Sequence, residues 1–422
     1  MERWKKDRLV NLTTKIGSGA TPKGGKNAYK ESGISLFRSL NVYDGQFKTK
    51  NLAYIDELQA EKLSNVVVEE GDVLLNITGA SIARCCVAPP ELLPARVNQH
   101  VSILRPKNDT IDSDFLAHLL ASKQYKEALL HIGEKAGATR QALTKSQLQD
   151  FEINIPPLPE QKRIVAILDE AFTGIDAAVA NTEKNLANAR ELFESYLNAV
   201  FTQKGDGWTE KTLQEILTVQ PRNGWSPPAK NHSDSGASVL TLSSVTGFHF
   251  DGNKRKFTNA PVKKDAHYWL NDGDFLITRS NTPQLVGHVA ICTGLTEPTI
   301  CCDLIMKMQV DSKVVSTKFL YWYFRTTKLR ELITGSAQGA NPTMKKINKK
   351  IVQNLPVTFP VLLEQNDIAS KIDVLYFETQ RLETIYQKKL KALTELKQSI
   401  LQKSFAGELT ALPDKTLEEA VA

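Results

Sequence analysis

The hydrophobic residues between positions 1 and 155 fall into short runs that turn residues separate. Residues 66–68 (VVV), 73–77 (VLLNI) and 101–104 (VSIL) are examples, with glycine or proline between them. Short aliphatic runs bounded in this way are typical of buried strands. A segment near residues 114–131 has helical spacing, and the same order returns with a helix near 316–333. Strands and helices that mix without regular alternation predict an α+β fold rather than a doubly wound sheet.

The pattern changes after residue 159 to a long amphipathic repeat. Proline is absent until residue 221, and apolar residues recur at spacings of four and three along two stretches of the chain. The first stripe is Ile164, Leu168, Ala171, Ile175, Ala178, Ala189, Leu192, Tyr196 and Ala199, and the second is Ile368, Ile372, Leu375, Thr379, Leu382, Tyr386, Leu393, Leu396 and Ile400. Roughly six heptads with a 3.5-residue average predict a coiled coil in which the two helices pair. The alternative is two unrelated amphipathic helices, and we favour it less because helices of about 40 residues seldom find so much flat core.

The chain is one unit written twice, with equivalent residues about 200 positions apart. Equivalent positions include Trp4 and Trp208, Gly71-Asp72 and Gly273-Asp274, Glu160-Gln161 and Glu364-Gln365, and Phe201 and Phe405. Because this period far exceeds that of solenoid repeats, it indicates two complete domains of one fold. A two-fold axis between the halves would make the long helices antiparallel. Such a pseudo-dimer suits a ligand with two halves, and duplex DNA with two half-sites is the leading example.

The composition is that of an ordinary globular protein, with 41% hydrophobic and 24% charged residues. The N-terminus carries no apolar signal core and no long apolar stretch occurs, so we expect a cytoplasmic protein without a membrane span. The five cysteines (Cys85, Cys86, Cys292, Cys301 and Cys302) form no Cys-x-x-Cys motif. They are therefore expected to be buried free thiols. The net charge of +6 is compatible with an anionic partner but is weak evidence for one.

Several catalytic signatures are incomplete. Residues 19–27 resemble a phosphate loop, but Ala20 stands where the first glycine belongs and Asn27 replaces the serine or threonine. In residues 154–158 an isoleucine interrupts the Asn-Pro-Pro-aromatic motif of amino methyltransferases. We find no Gly-x-Gly turn between a strand and a helix that could hold a nucleotide-like cofactor, and the histidines form no metal-spaced pair. The sequence therefore predicts a chain that is not an enzyme and that has no cofactor or metal of its own.

Polar, basic loops rich in turn residues occupy matched places in both halves. Arg, Asn and Gln can form bidentate pairs with base edges, and Ser and Thr hydroxyls can hold phosphates. Each loop alone is explained better as an ordinary surface turn, but equivalent loops with different residues favour one scaffold that reads two sequences. The candidate DNA-binding residues of the first half are Ser18, Thr21, Lys23, Arg38, Ser39, Asn41, Asn76, Thr78, Ser81, Arg84, Thr139, Arg140 and Gln141. Those of the second half are Arg222, Asn223, Trp225, Ser243, Ser244, Thr278, Arg279, Ser280, Asn281, Asn341, Thr343 and Lys345.

These features together resemble one known family, the specificity subunits of type I restriction-modification systems. The resemblance covers essentially the whole chain. It rests on the junction 156–161 (PPLPEQ), the closing stretch 396–409 (LKQSILQKSFAGEL), and the loops 17–22 (GSGATP) and 71–75 (GDVLL). The second junction, 359–365 (FPVLLEQ), has fewer prolines than the family pattern, and 203–207 (QKGDG) replaces the usual closing motif. These departures concern local geometry and leave the assignment unchanged.

The resemblance implies two target-recognition domains, at 1–155 and 205–359, that alternate with conserved helical spacers at 156–204 and 360–409, followed by a tail at 410–422. Each domain would read one half of a bipartite, asymmetric target in double-stranded DNA. The helices would set the gap and dock two methyltransferase subunits, which carry S-adenosylmethionine. Restriction (translocase) subunits that use ATP and Mg would complete the complex. The alternative from another class is a duplicated protein-binding scaffold with no DNA readout, and a self-contained methyltransferase is disfavoured by the missing motifs.

Overall fold

The chain folds into two compact units. A computed structural model describes residues 4–134, 142–205, 207–339, 343–406 and 408. The first unit consists of Met1–Glu183 together with Lys388–Ala422, and the second unit consists of Lys184–Gln387. The division passes through both long helices, so each unit contains part of each helix. None of the described helices has the combination of length and hydrophobicity that crossing a membrane requires.

The first unit is built from short strands and short helices that precede the first long helix. Its strands are β1 (Lys5–Arg8), β2 (Thr13–Ser18), β3 (Ile34–Phe37), β4 (Val42–Tyr43), β5 (Gln46–Phe47), β6 (Ala53–Ile55), β7 (Val67–Val68), β8 (Val73–Asn76), β9 (Cys85–Val87), β10 (Ala95–Val97), β11 (Val101–Pro106) and β12 (Glu152–Ile155). Its short helices are α1 (Leu9–Leu12), α2 (Glu57–Glu61), α3 (Ser113–Ala121), α4 (Lys123–Glu134) and α5 (Lys145–Gln149). The first long helix is α6 (Leu158–Thr202).

Two four-stranded sheets enclose two cores in the first unit. One sheet has the order β2-β11-β8-β9 and is antiparallel throughout, and the other has the order β6-β3-β10-β7 with β3 and β10 parallel. Successive side chains of a strand point to opposite faces. Val73 and Leu75 of β8 therefore join the core beneath α3, whereas Leu74 joins the core of the second sheet. This explains why the central strand is apolar at consecutive positions.

The second unit repeats this construction. Its strands are β13 (Thr209–Thr212), β14 (Leu217–Asn223), β15 (His232–Ser233), β16 (Ala237–Leu240), β17 (Arg255–Thr258), β18 (Phe275–Thr278), β19 (Ser280–Asn281), β20 (Val289–Ile291), β21 (Thr299–Ile300), β22 (Ile305–Val310), β23 (Lys345–Lys346) and β24 (Pro356–Phe359). Its helices are α7 (Thr317–Tyr323), α8 (Thr327–Ser336) and α9 (Lys349–Gln353), followed by the second long helix, α10 (Leu362–Phe405). The sheet order β14-β22-β18-β20 matches β2-β11-β8-β9 of the first unit.

The repeated Gly-Asp pair marks a buried charge in each unit. Gly71 and Gly273 adopt positive φ angles of 80° and 88°, which turn the chain into β8 and β18. The next residue, Asp72, has no exposed surface and receives Arg105 Nε and Nη2 at 2.8 and 2.9 Å. Asp274 is equally buried and receives Lys307 Nζ at 2.8 Å. Because an unpaired buried carboxylate is very costly, each aspartate requires its cation partner.

A buried glutamine fixes the start of each long helix. Gln161 accepts the Asp112 N–H at 2.8 Å, and its amide nitrogen donates to the carbonyls of Thr110 and Pro156 at 3.1 and 2.9 Å. In the second unit, Gln365 accepts the Ser316 N–H at 2.8 Å and donates to Val314 and Pro360 at 3.1 and 2.8 Å. The same three bonds therefore recur in both copies. This accounts for the repeated Glu-Gln pair and confirms the duplication.

The long helices pack together in antiparallel orientation inside each unit. In the first unit, Lys397 of α10 binds the Asp176 carboxylate of α6 at 2.8 and 3.0 Å and lies 4.7 Å from the Phe172 ring. Ile164 and Leu168, earlier in α6, share a core with Phe405 and its neighbours at the end of α10. The prediction of paired helices is confirmed.

The second unit shows the same antiparallel packing. Arg190 of α6 pairs with Glu383 of α10 at 3.1 Å, and Phe193 lies 5.3 Å from Tyr376. The later residue of α6, Phe193, contacts the earlier residue of α10, Tyr376, so the two helices run in opposite directions. The interpretation of two unrelated helices, each on its own domain, does not fit these contacts.

The structure corrects two details of the predicted helices. The helix predicted near 114–131 is two helices, α3 and α4, because Ser122 is extended and its hydroxyl donates to Leu119 O at 2.6 Å. The helix predicted near 316–333 is likewise divided into α7 and α8. The apolar stripe of α6 also shifts: Leu192 is 66% exposed, whereas Phe193 and Leu197 are buried. A straight helix drifts by about 20° per heptad from a 3.5-residue repeat, so the buried face moves by one residue.

All five cysteines are free and buried, as predicted. Burial raises the pKa of the Cys86 and Cys292 thiols to about 12 and that of Cys302 to about 11. These thiols therefore stay protonated at neutral pH, and protonated thiols are poor nucleophiles and poor metal ligands. Within the described residues, no group of His, Cys, Asp and Glu side chains is placed to hold a metal ion. The cysteines are core residues.

Replacing Gln365 with alanine should lower the free energy of unfolding by about 1–3 kcal/mol, because one buried and two half-buried backbone groups lose their partner. Gln161→Ala should cost a similar amount, since the same three bonds are lost. Urea unfolding followed by circular dichroism measures both. The exposed neighbour Glu364 provides the control Glu364→Ala, which should change stability little. Equal stabilities of Gln365→Ala and the control would contradict the role of the glutamine.

A chain ending at Gly207 should form a homodimer. It lacks Phe405, whose ring lies 5.4 Å from Phe115 and helps to close the first core. Phe201 makes the equivalent contact with Phe319 at 5.1 Å, so Phe201 of a second copy can fill the vacant position. Burying such a side chain is worth about 1.5–3 kcal/mol.

Light scattering of the truncated chain measures its mass. Phe201→Ala should weaken the dimer, whereas Leu192→Ala, at an exposed position of the same helix, should leave it intact. A stable monomer, or a dimer that is insensitive to Phe201→Ala, would show that the helices do not complete the cores in this way.

Candidate nucleic-acid interface

In the first unit, one end of each of four neighbouring strands lies on the same side of the antiparallel sheet, where the connecting loops begin. β2 ends at Ser18, beside the start of β11, and Val101 of β11 pairs with Asn76, the last residue of β8. β9 begins next to the same end of β8. The connecting loops therefore emerge side by side. We call residues 18–23, 38–41, 76–84 and 98–100 the first loop end.

Backbone hydrogen bonds connect the loops of the first loop end. Gly19 N–H donates to Asn98 O at 3.2 Å, and Ile77 N–H donates to His100 O at 3.0 Å. Asn98 N–H in turn donates to Phe37 O at 3.1 Å, which brings in the loop that follows β3. Loops that are joined in this way lose little further entropy when a ligand binds.

Basic side chains lie over tyrosine rings beside this loop end. The Arg38 guanidinium is 5.0 Å from the Tyr29 ring centroid. Arg84 and Lys48 lie over the Tyr43 ring at 4.8 and 4.0 Å. Such cation–π contacts hold the charge in place while N–H groups stay available to an anion. The arrangement suits contact with phosphates.

The second unit presents an equivalent loop end. β14 ends at Asn223, which pairs with Met306 near the start of β22, and Ile305 of β22 pairs with Thr278, the last residue of β18. β20 begins beside this end of β18. We call residues 223–226, 241–248, 278–288, 301–304 and 343–347 the second loop end.

Arg279 lies at the centre of the second loop end. Its N–H donates to Leu304 O at 2.8 Å, and its guanidinium Nη1 donates to Asp303 O at 3.3 Å. Its own carbonyl accepts the Ile347 N–H at 2.9 Å, which ties in the strand β23. Trp225 stacks on Tyr268 with ring centroids 5.5 Å apart. A positioned guanidinium and a stacked indole therefore share one surface.

A neutral histidine, His288, forms hydrogen bonds that hold two segments of the second loop end together. Burial and the nearby Arg330 and Arg325 lower the pKa of His288 to about 4. Its Nδ1 accepts the Gly247 N–H at 3.0 Å, so the ring proton is on Nε2, which lies 3.1 Å from Gln284 O. The imidazole also stacks on Phe248 with centroids 3.9 Å apart. His288 is therefore uncharged at neutral pH and fixes the loop without attracting phosphates.

Most of the predicted DNA-binding residues lie at these two loop ends with exposed or half-exposed side chains. They are Ser18, Thr21, Lys23, Arg38, Ser39, Thr78, Ser81 and Arg84 in the first unit, and Asn223, Trp225, Ser243, Arg279, Thr343 and Lys345 in the second. Arg222 is also exposed and lies on β14, directly before the second loop end. Thr139, Arg140, Gln141 and Asn341 lie outside the described residues. The structure thus brings together residues that are far apart in the sequence, and their contact with DNA stays a prediction.

Six of the predicted residues are buried, and three of these have their polar groups engaged by the protein. Asn41 accepts the Arg38 N–H at 3.2 Å and donates to Lys48 O at 2.8 Å. Thr278 Oγ1 donates to Leu285 O and accepts the His288 N–H, both at 2.9 Å. Ser244 Oγ donates to Lys254 O. These side chains shape the loops in this structure and turn no polar group outward.

The other three buried residues are Asn76, Ser280 and Asn281. Asn76 donates to Ser39 O at 2.9 Å and has no exposed surface, and its Oδ1 has no partner among the described residues. Ser280 Oγ is likewise buried without a partner in the described part of the chain. Asn281 donates to Thr246 Oγ1 at 3.3 Å and is 8% exposed. Asn76 is the last residue of β8, and Ser280 and Asn281 form the short strand β19 that follows β18.

Sequence reasoning missed several side chains at the loop ends. The Tyr29 and Tyr43 rings contact the guanidinium groups of Arg38 and Arg84. The Phe248 ring stacks on His288 at the second loop end. Phe248 has a positive φ of 62°, which is costly for a bulky side chain. A search for aromatic residues interleaved with basic ones could have found the tyrosines. No comparable sequence signal marks Phe248, since its position depends on tertiary contacts.

Comparison with a family model places the chain among known proteins. The model described as type I restriction modification DNA specificity domain matches residues 1–186 and again residues 205–392. The two matches cover most of the chain and repeat one domain. This agrees with the duplication of both sheets and both long helices described above.

Curated relatives match over nearly the whole chain. The type I restriction enzyme EcoKI specificity subunit of Escherichia coli strain K12 is 26% identical over 95% of this chain and 88% of its own length. The StySPI specificity subunit of Salmonella potsdam is 24% identical over 97% of this chain and 90% of its own length.

Solved structures share the fold. A chain from work on complex assembly and conformational transition of the type I restriction-modification system aligns with a TM-score of 0.76 at 20% identity, covering 97% of this chain and 99% of its own. The HsdS subunit from Thermoanaerobacter tengcongensis aligns with a TM-score of 0.59 at 19% identity, covering 96% of this chain and 97% of its own. With the family model matching both halves, the chain belongs to the type I restriction-modification DNA specificity family.

Proposed function

We propose that each unit reads one half of a bipartite, asymmetric DNA target through its loop end. Membership of the family makes the chain a non-catalytic subunit that recognises DNA sequence. The observation that supports two readers is the repeated sheet, β2-β11-β8-β9 and β14-β22-β18-β20, whose equivalent loops carry different side chains. Base contacts in the major groove depend on side-chain chemistry. Two different loop ends on one scaffold therefore predict two different half-sites.

The paired helices α6 and α10 would set the unread gap between the half-sites. Their 45 and 44 residues extend roughly 65 Å at 1.5 Å per residue, and their contacts in each unit are antiparallel. A long helix held along its length by packing and ion pairs is a rigid spacer. The exposed apolar residues Val374 and Phe377 on α10 support a role in docking other subunits.

The partners in this proposal are double-stranded DNA, two methyltransferase subunits and, in a restriction complex, translocase subunits. S-adenosylmethionine, ATP and Mg would belong to those subunits, where the chemistry takes place. We also propose a cytoplasmic location, since the target is cellular DNA and the five free thiols suit a reducing compartment. A protein-binding scaffold without DNA readout is not favoured, because the family is one of DNA specificity.

Methylation mapping tests the proposed function. Co-expression of the chain with its methyltransferase should place methyl groups on adenines within a single bipartite sequence whose two halves differ. The reason is that the two loop ends present different side chains. Omission of this chain is the control and should abolish sequence-specific methylation. A continuous target, or two identical inverted halves, would contradict reading by two different units.

Lengthening both helices should lengthen the gap. Insertion of four residues after Lys184 and four after the equivalent Lys388 adds about one turn, or 5.4 Å, against roughly 3.4 Å per base pair. The gap should grow by one or two base pairs while both half-sites stay the same, as read by methylation mapping. A four-residue insertion in the exposed loop after Asn108 is the control. A lengthened chain that keeps the original gap would show that the helices do not set it.

A further inference from the structure

Two equivalent side-chain pairs, one in each unit, stand at the loop ends. In the first unit, Thr21 Oγ1 donates a hydrogen bond to Gln99 Oε1. In the second unit, Ser226 Oγ donates to Asp303 Oδ1, and Asp303 N–H donates back to Ser226 Oγ at 3.2 Å. The hydroxyl is common to both units, but its partner is an amide in one and a carboxylate in the other.

The equivalence of the two pairs is fixed by backbone geometry. A Cβ at Gly19 would lie 1.7 Å from Val97 O, and a Cβ at Gly224 would lie 2.0 Å from Cys301 O. Each glycine therefore presses against the strand segment that precedes the reading loop, and no other residue fits there. Thr21 and Ser226 each follow their glycine by two positions. Gln99 and Asp303 likewise follow the contacted carbonyls by two positions, so the pairs occupy the same place on the scaffold.

The residue next to each hydroxyl–acceptor pair also differs between the units: it is Arg279 beside Asp303 and Ile77 beside Gln99. Arg279 N–H donates to Leu304 O, and its carbonyl accepts from Ile347 N–H. Ile77 makes the same two backbone bonds, to His100 O and from Leu143 N–H. Ile77 is part of the hydrophobic core, whereas the Arg279 guanidinium reaches the Asp303 carbonyl at 3.3 Å. Asp303 thus has a guanidinium bound to its backbone carbonyl, whereas an aliphatic side chain, Ile77, takes that position next to Gln99.

We propose that Gln99 and Asp303 are equivalent specificity-determining residues, with Gln99 reading an A·T pair and Asp303, together with Arg279, reading a G·C pair. This inference rests on the proposed function. An amide offers one donor and one acceptor, which match adenine N7 and N6; a carboxylate only accepts, and it matches the N4 amine of cytosine. A guanidinium matches guanine O6 and N7.

The hydroxyl has a positioning role in this scheme. A bond to one lone pair of Gln99 Oε1 or Asp303 Oδ1 restricts the rotation of the side chain. The second lone pair of Gln99 Oε1 with the amide nitrogen, or the second carboxylate oxygen of Asp303, stays available to a base. Gln99 is exposed and Asp303 is half-exposed, so both can be reached by DNA. A carboxylate at a loop end that binds phosphates would repel them, which gives Asp303 a use at a base edge rather than at the backbone.

The test is selection of bound sequences from a randomised duplex library by the full-length chain assembled with its methyltransferase subunits. Asp303→Asn should change one base pair of one half-site from G·C with the cytosine contacted to A·T with the adenine contacted. Gln99→Glu should make the reverse change at one position of the other half-site. Each change in preference should be roughly 10- to 100-fold, the range for one bidentate contact. All other positions should keep their preference and serve as an internal control for folding.

Two further variants separate base reading from a structural role. Ser226→Ala should weaken discrimination at the Asp303 position without changing the preferred base. Asp272→Asn changes an exposed acid that precedes β18, away from the loop end, and should change nothing. A uniform loss of affinity for all duplexes in Asp303→Asn would overturn the inference. That result is expected if Asp303 only holds the loop in place through its hydrogen bond with Ser226.

The outcomes also distinguish this inference from the proposed function. If the unmodified chain selects a bipartite sequence and neither Asp303→Asn nor Gln99→Glu alters a base preference, the inference is wrong and the proposed function stands. If the unmodified chain selects no sequence at all, both are wrong. Altered preference in both half-sites by a single variant would likewise contradict the assignment of one residue to one half-site.

Discussion

The burial of helical side chains from both copies is the constraint on which the rest of the structure depends. In the first unit, Phe405 of α10 packs on Phe115 and completes a core that otherwise comes from the first copy. In the second unit, Phe201 of α6 packs on Phe319 in the same way. Neither core is closed by its own copy alone. Each core is therefore completed by the helix of the other copy, and the antiparallel helix pair follows from that exchange.

Stability and recognition use different residues of the same scaffold. The interactions that hold each unit together are nearly the same in both copies, as the three bonds of Gln161 and Gln365 show. The loop ends differ, as the change from Gln99 to Asp303 illustrates. Because the loops are fixed by backbone hydrogen bonds, side chains there can change without altering the fold. One scaffold can thereby read two sequences.

The sequence was sufficient to predict the duplication, the α+β class and the paired helices, because these follow from periodicity and repetition. It failed at Leu192, since a 3.5-residue repeat does not follow the drift of a straight helix. It also could not separate Thr278, which is buried and bonded within the protein, from the half-exposed Arg279 next to it. The pairing of Thr21 with Gln99 was invisible because it joins loops distant in sequence.

Hydrogen–deuterium exchange of the full chain, with and without its target duplex, tests the central claim most directly. If two equivalent loop ends read the DNA, the amides of residues 76–84 and 98–100 and those of residues 278–288 and 301–304 should exchange more slowly in the complex. A duplex with one half-site scrambled should remove the protection from one of these sets and keep it in the other. Protection confined to one unit with the intact target, or found outside both loop ends, would contradict the account.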